Sequence, residues 1–227
     1  MKEKRLSILP LFIAMALIIS CAPKQDVDPS LLEGPGWTEE NNNLHLMEGP
    51  PPGPDAEDAF RVYRSGAPSK ETFAKWCEVY HIERVIDMAG SAPKNEMAFQ
   101  EEGICPGIEI VYSKKQDPNT PVSDSFIEFF EDEIEQARQD QVGILFRCTT
   151  GSHRAGRMAA YYQMKYQGLT AEEAIAVMDY NGMMMYAYDW TLRPQVRAME
   201  DYIQGKECEE AKMFCVAEDS NRYMPKN

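Results

Sequence analysis

The chain has 227 residues, 44% hydrophobic and 26% charged, with a formal net charge of −14. That length and apolar content suffice for one core of ordinary size. Such acidity excludes a general nucleic-acid binder and a protein held to anionic membranes by charge alone.

Residues 1–20 stand apart from any fold. A basic start, Met1 to Arg5, is followed by an apolar run from Leu6 to Ile19, and Ile18-Ile19-Ser20-Cys21 closes it. This pattern reads as a secretory signal, too short and wrongly flanked for a membrane span. The small residue before a cysteine resembles the bacterial lipoprotein cleavage box. That resemblance implies a lipid on Cys21 that attaches the protein to a membrane, and Ala22 fits an outer-membrane destination. The expected location is that of an exported bacterial lipoprotein, periplasmic or outer membrane-anchored. Removing residues 1–20 deletes three cations and one anion, so the mature charge deepens to −16.

Residues 21–57 read as a flexible, lipid-anchored linker. Gly34-Pro-Gly, Asn41-Asn-Asn and Gly49-Pro-Pro-Pro-Gly-Pro are rich in turn formers. Such a segment buries too little surface to offset its ordering entropy. Trp37 and Leu44 to Met47 are its candidate docking points.

Residues 58–227 read as one domain of alternating strands and helices. Arg61–Arg64, Glu83–Met88, Ile108–Tyr112 and Val142–Phe146 are the expected strands. Helices are expected over Ser69–His81, with Ser69 as N-cap, and over Ser123–Asp140, where Phe126, Phe130, Ile134 and Ala137 recur at helical spacing. A further helix opens near Arg154 and runs to Gln167. Thr170-Ala-Glu-Glu173 is a capping box for a helix to Met178, and Leu192–Gln204 makes the last. The pattern predicts an α/β fold, a central sheet with helices on both faces. Trp190 and Tyr186-Ala-Tyr188 are expected to pack the core rather than line a cleft.

The chemistry concentrates at Ile144-Leu-Phe-Arg-Cys148-Thr-Thr-Gly151-Ser-His-Arg154, a strand, a tight loop and a helix start. If the loop amides of Thr149, Thr150, Gly151, Ser152 and His153 turn inward, they form a nest at a helix N-terminus that binds phosphate. The same site stabilises a thiolate, which makes Cys148 a candidate nucleophile. Arg154 offers a planar fork matched to two phosphate oxygens. With 6 Cys and 11 Arg in the chain, a bare Cys-x5-Arg arises by chance about 0.3 times. Requiring a glycine at the position of Gly151 lowers that to roughly 0.02, so chance is a poor account of it. Lys114, Lys115, Arg147, His153 and Arg157 complete a basic island in an acidic protein. That island suggests a highly anionic small substrate.

Cys148-Thr-Thr-Gly-Ser-His-Arg154 resembles the Cys-x5-Arg signature loop of the protein tyrosine phosphatase superfamily. Phe60-Arg-Val-Tyr63-Arg64-Ser-Gly-Ala-Pro68 is similar to the Tyr-Arg-Ser-x-x-Pro segment of its dual-specificity-like and inositol-phosphatase branches. Asp117-Pro-Asn-Thr-Pro121, which starts 31 residues before Cys148, lies where the family carries its mobile general-acid loop. The resemblance implies a single-domain fold with a mostly parallel sheet and a phosphomonoesterase that needs no metal or other cofactor. It gives Cys148 as nucleophile, Arg154 as phosphate clamp and Asp117 as acid, with Asp124 the runner-up. Asp87 is read as structural. The chain departs from the family at Arg147, where a His is usual, and at Ala155, where a hydroxyl is usual. The lysines and the Asp-x-x-x-Pro spacing look more like the phytase-like branch, which acts on inositol polyphosphates. A phosphotyrosine phosphatase and a phosphate-binding pseudoenzyme are the alternatives.

With Cys21 lipidated and Cys148 free, Cys77, Cys105, Cys208 and Cys215 remain, an even number suited to an oxidising compartment. Three pairings are possible. Cys77–Cys105 with Cys208–Cys215 closes the shorter loops, and reduced thiols are the other outcome.

Overall fold

The computed structural model describes residues 42–52, 59–182 and 185–218. The signal-like segment, Cys21 and Trp37 lie outside the described residues. No helix among the described residues is long and apolar enough to cross a membrane.

Five strands form one sheet: β1 (His45–Glu48), β2 (Arg61–Ser65), β3 (Ile82–Asp87), β4 (Glu109–Ser113) and β5 (Gly143–Arg147). Their spatial order is β1-β2-β5-β3-β4. The last four run parallel and β1 pairs antiparallel with β2 at the edge. The α-helices among the described residues are α1 (Lys70–Glu78), α2 (Glu96–Glu101), α3 (Asp124–Asp140), α4 (Arg154–Tyr162), α5 (Ala171–Tyr180) and α6 (Met185–Ile203). This is the α/β architecture the residue pattern predicts.

Because side chains alternate along a strand, each central strand feeds two cores. On one face Val62, Ile86, Ile144 and Phe146 pack with residues of α3, α4, α5 and α6. On the other Tyr63, Val85 and Leu145 pack with Phe73 and Trp76 of α1. Both faces are buried, as parallel sheets require.

Several element ends differ from expectation for local reasons. Helix α1 stops at Glu78, because His81 takes a left-handed φ of 52°. The helix from Arg154 is α-helical only to Tyr162 and continues to Gln167 as a π turn. Helix α6 begins at Met185, well before Leu192, and α2 has no counterpart among the expected elements. Capping behaves as expected, since Thr72 N–H donates to the Ser69 hydroxyl and Thr170 with Glu173 forms a reciprocal box.

Part of the expected linker, residues 21–57, is a strand. Leu44 and Met47 are buried, and His45–Glu48 forms the edge strand. Leu44 and Met47, three residues apart, enter the cores on opposite faces of the sheet and so dock this short strand on its edge.

Two disulfides close, Cys77–Cys105 and Cys208–Cys215, spanning 28 and 7 residues. Cys148 is a free thiol.

Candidate active site

The loop from Cys148 to His153 joins the C-terminal end of β5, the central strand, to the N-terminus of α4. Its shape is held from outside. The carbonyl of Thr149 accepts from Ala67 N at 3.0 Å, that of Thr150 from Asn43 Nδ2 at 3.3 Å and that of Gly151 from Arg64 Nη1 at 3.4 Å. A trans peptide sets its C=O and N–H on opposite sides. With three successive carbonyls turned outward, the N–H groups of Thr150, Gly151 and Ser152 face into the loop. That is the anion nest.

Gly151 is required there twice over. Its φ is +78°, and a Cβ would lie 2.8 Å from Asn43 Nδ2 and 2.9 Å from Gly66 N. Cys148 is 1% exposed at the base of the loop, its own N–H bonded to Ser65 O at 3.3 Å. Ser152 is buried and its hydroxyl donates to Thr150 O at 3.4 Å. His153 packs edge-on against the Tyr188 ring, with centroids 4.8 Å apart. Trp190, expected in the core, is 65% exposed and meets Phe214 at the surface.

Arg154 spans the loop mouth. Its Nη2 donates to Thr149 Oγ1 at 3.1 Å, and its Nη1 donates to Met88 O at 2.8 Å and to Gln116 O at 3.4 Å. The second bond to Gln116 brings the residue before Asp117 against the clamp. Asp117 itself is exposed, and its Oδ1 accepts from Asn119 N at 2.9 Å. The loop it sits on is tied to three side chains. Arg157 Nη1 donates to Thr120 O at 2.8 Å, Gln195 Nε2 to Pro118 O at 3.0 Å, and Thr191 Oγ1 to Asn119 Oδ1 at 3.3 Å. Asp124 instead accepts from the neighbouring Ser125 N at the start of α3. That is the usual place for a helix N-terminal charge.

The basic island is smaller than the sequence suggests. Arg147 is fully buried and paired with Asp87 and Glu96, facing away from the loop cavity. Arg157 is fully buried too, and holds the loop that carries Asp117 through Thr120 and Gln116, with Gln195 alongside. Burial, with Arg154 close by, pushes its guanidinium down to about 10. Its hydrogen bonds go to the loop around Asp117 and to Gln195. Lys114 and Lys115 are exposed at the end of β4, and Lys114 borders a cavity of about 430 Å³ with Gln116, Asp117 and Arg157.

Sequence reasoning missed Asn43, Arg64, Asn181 and Glu96. Asn43 also donates to Asn181 O at 3.2 Å and accepts from His45 Nε2 at 2.6 Å. Only the Tyr-Arg-Ser resemblance pointed toward Arg64. Nothing local marks the others: Asn43 meets Thr150 across 107 residues, Asn181 meets Asn43 across 138, and Glu96 meets Arg147 across 51.

No protein-family model matches the chain, and no curated protein does. Solved structures do. TpbA of P. aeruginosa superposes with a TM-score of 0.52 at 18% identity, over 77% of this chain and 91% of that one. TpbA in complex with pTyr gives 0.54 at 18% identity, over 75% and 98%. PTPMT1 in complex with PI(5)P gives 0.52 at 12% identity, over 71% and 97%. The fold of this chain is the protein tyrosine phosphatase-like fold.

Proposed function

We propose that the chain is a cysteine phosphatase that hydrolyses phosphomonoesters through a cysteinyl-phosphate, with inositol polyphosphates as its substrates. The observation that carries this reading is the loop itself. Its carbonyls are tied outward, its thiol is free at the base and Arg154 crosses its mouth.

In the first step the Cys148 thiolate attacks phosphorus, the P–O bond to the alcohol breaks, and Asp117 gives its proton to the leaving oxygen. The inward amides and Arg154 hold the equatorial oxygens as charge spreads over them. In the second step water, deprotonated by Asp117, attacks phosphorus and the P–S bond breaks. The phosphoryl charge is met by protein donors, so the reaction calls for no metal.

Lys114 and Lys115, exposed just ahead of the acid loop, support a substrate bearing several phosphates. The Tyr188 ring beside His153 favours a second reading, a phosphotyrosine substrate against an aromatic wall. PTP-like neighbours in complex with pTyr and with PI(5)P are compatible with either. The two disulfides support an oxidising compartment, in keeping with an exported lipoprotein.

The deciding experiment is phosphate release from inositol hexakisphosphate and from a phosphotyrosine peptide, with Cys148→Ser as blank and EDTA present. Preference for the inositol substrate is expected. Preference for the peptide overturns the substrate assignment, and no release from either overturns the catalytic one.

A further inference from the structure

Arg147 stands beside the nucleophile yet does not touch the loop cavity. Its guanidinium reaches Asp87 at 2.7 Å and Ser91 Oγ at 2.9 Å through Nη1, and Glu96 at 2.6 Å through Nη2. All three charged side chains are fully buried. A buried ion cluster is weak evidence for stability, because well-packed apolar residues often stabilise as much. Its geometry is the informative part.

The Asp87 carboxylate accepts three backbone N–H groups, those of Ala89, Ser91 and Ala92, each at 2.7 Å, and the Ser113 hydroxyl at 2.8 Å. It thereby winds residues 88–92 into a fixed turn. Drawing the Ala89 N–H toward Asp87 turns the carbonyl of the same peptide, that of Met88, the other way. Met88 O then accepts from Arg154 Nη1 at 2.8 Å and from Gln116 N at 3.1 Å. Met88 N in turn donates to Arg147 O at 2.9 Å. The turn also lies directly on the chain leading to Asp117, since a Cβ on Gly90 would sit 2.6 Å from Lys115 N.

We propose that Arg147 is a positioning residue: with Asp87 and Glu96 it aims the Met88 carbonyl, an acceptor shared by the phosphate clamp Arg154 and the acid loop. This rests on the phosphatase reading and assigns its two moving parts a common anchor. A planar fork holds two carboxylates at once, which Lys does not. Arg147→Lys therefore keeps the buried charge but releases one carboxylate, loosening the turn. Arg154 and Asp117 lose register together.

The test compares Arg147→Lys with wild type on p-nitrophenyl phosphate and on an alkyl phosphate, with tungstate affinity and thermal melting measured alongside. A misplaced acid matters most where the leaving group needs its proton. The nitrophenyl ester should slow only several-fold, through Arg154, and the alkyl phosphate by a further ~10-fold or more. Tungstate, which needs Arg154 but no acid, should bind several-fold more weakly. Glu96→Gln, which preserves shape, should show the same selectivity at smaller size and serves if Arg147→Lys does not fold. Equal losses on both esters, or no loss, with tungstate affinity unchanged, would overturn the proposal and leave the cluster a matter of stability. Wild-type protein without Cys148-dependent turnover overturns the phosphatase reading itself, and this role with it.

Discussion

Arg157 on α4 donates to the carbonyl of Thr120 at 2.8 Å, so a buried cation holds the far end of the loop that carries Asp117. The same guanidinium meets Gln116 on the near side at 3.2 Å. The Asp117 loop is thus clamped across both ends by one side chain.

Replacing Arg157 with Met should therefore uncouple activity from stability. Turnover is expected to fall by about tenfold or more, because a small displacement of the acid is costly. The stability change follows from the direction of the shift. Burial lowers Arg157 to about 10, so the folded state binds this proton less well than the unfolded chain. Its contribution is present above the unfolded value and is lost as pH falls through about 10. Melting of wild type relative to Arg157→Met should improve as pH rises through about 10. A difference that is flat there, or that declines, would mean that burial does not weaken the hold of Arg157 on its proton.

Gly151→Ala tests the nest. A non-glycine residue at this left-handed φ costs roughly 1–2 kcal/mol, and the added methyl presses on Asn43, Ser65 and Gly66. Activity should fall by about a hundredfold as the inward amides shift, while the melting temperature drops by only a few degrees. Unchanged activity would mean the loop amides do not hold the phosphoryl group.

A chain beginning at residue 59 should be far less active than one beginning at residue 42. Asn43 buttresses Thr150 O, and Asn42 O accepts from Gly66 N at 2.7 Å. Leu44 and Met47 together bury enough apolar surface for about 3–6 kcal/mol. Equal activity and equal melting of the two chains would show that the segment is dispensable.

That segment marks where local pattern stops being informative. The Cys148–Arg154 loop, its strand and its helix were legible because the chemistry is contiguous and the hydrophobic period changes at the loop. The two disulfide pairings matched the shorter closures among the alternatives. The buttress was not legible, because Asn42 and Asn43 sit in a polar stretch whose partners, among them Ala67, Thr150 and Asn181, lie 25 to 138 residues away. Arg147 misled for a related reason. A strand residue's face depends on the neighbours that cover it, and here β3 and α2 supply two carboxylates to an arginine that composition alone assigns to a basic island.

Opening the longer disulfide should destabilise more than opening the shorter one. On the chain-entropy account Cys77–Cys105 contributes about 3.6 kcal/mol and Cys208–Cys215 about 2.4 kcal/mol. Cys77→Ser with Cys105→Ser should lower the melting temperature more than the Cys208→Ser, Cys215→Ser pair. The Cys77–Cys105 bridge ties α1, under one face of the sheet, to the chain entering β4, away from Cys148. The nitrophenyl phosphatase rate at low temperature should therefore be nearly unchanged. A reversed order of melting would mean that packing of the tail on α6, not loop closure, decides.

Ala155→Ser addresses the second chemical step. Ala155 is fully buried in the same core cluster as Cys148, one residue beyond the clamp. In much of the superfamily that this loop resembles, a hydroxyl here hydrogen-bonds the sulfur as it leaves phosphorus. Without it, breakdown of the cysteinyl-phosphate should be slow, and the enzyme should show a burst followed by a lower steady rate. Thr149, whose hydroxyl accepts from Arg154 Nη2 at 3.1 Å and keeps its own proton to donate, should compensate in part. Restoring the hydroxyl should shrink the burst and raise the steady rate, by about tenfold if one hydrogen bond to the leaving thiolate is worth about 1.4 kcal/mol. If burst amplitude and steady rate both stay as they are, sulfur departure is not the slow step. Ala155 then reflects the close packing of α4 beneath the loop.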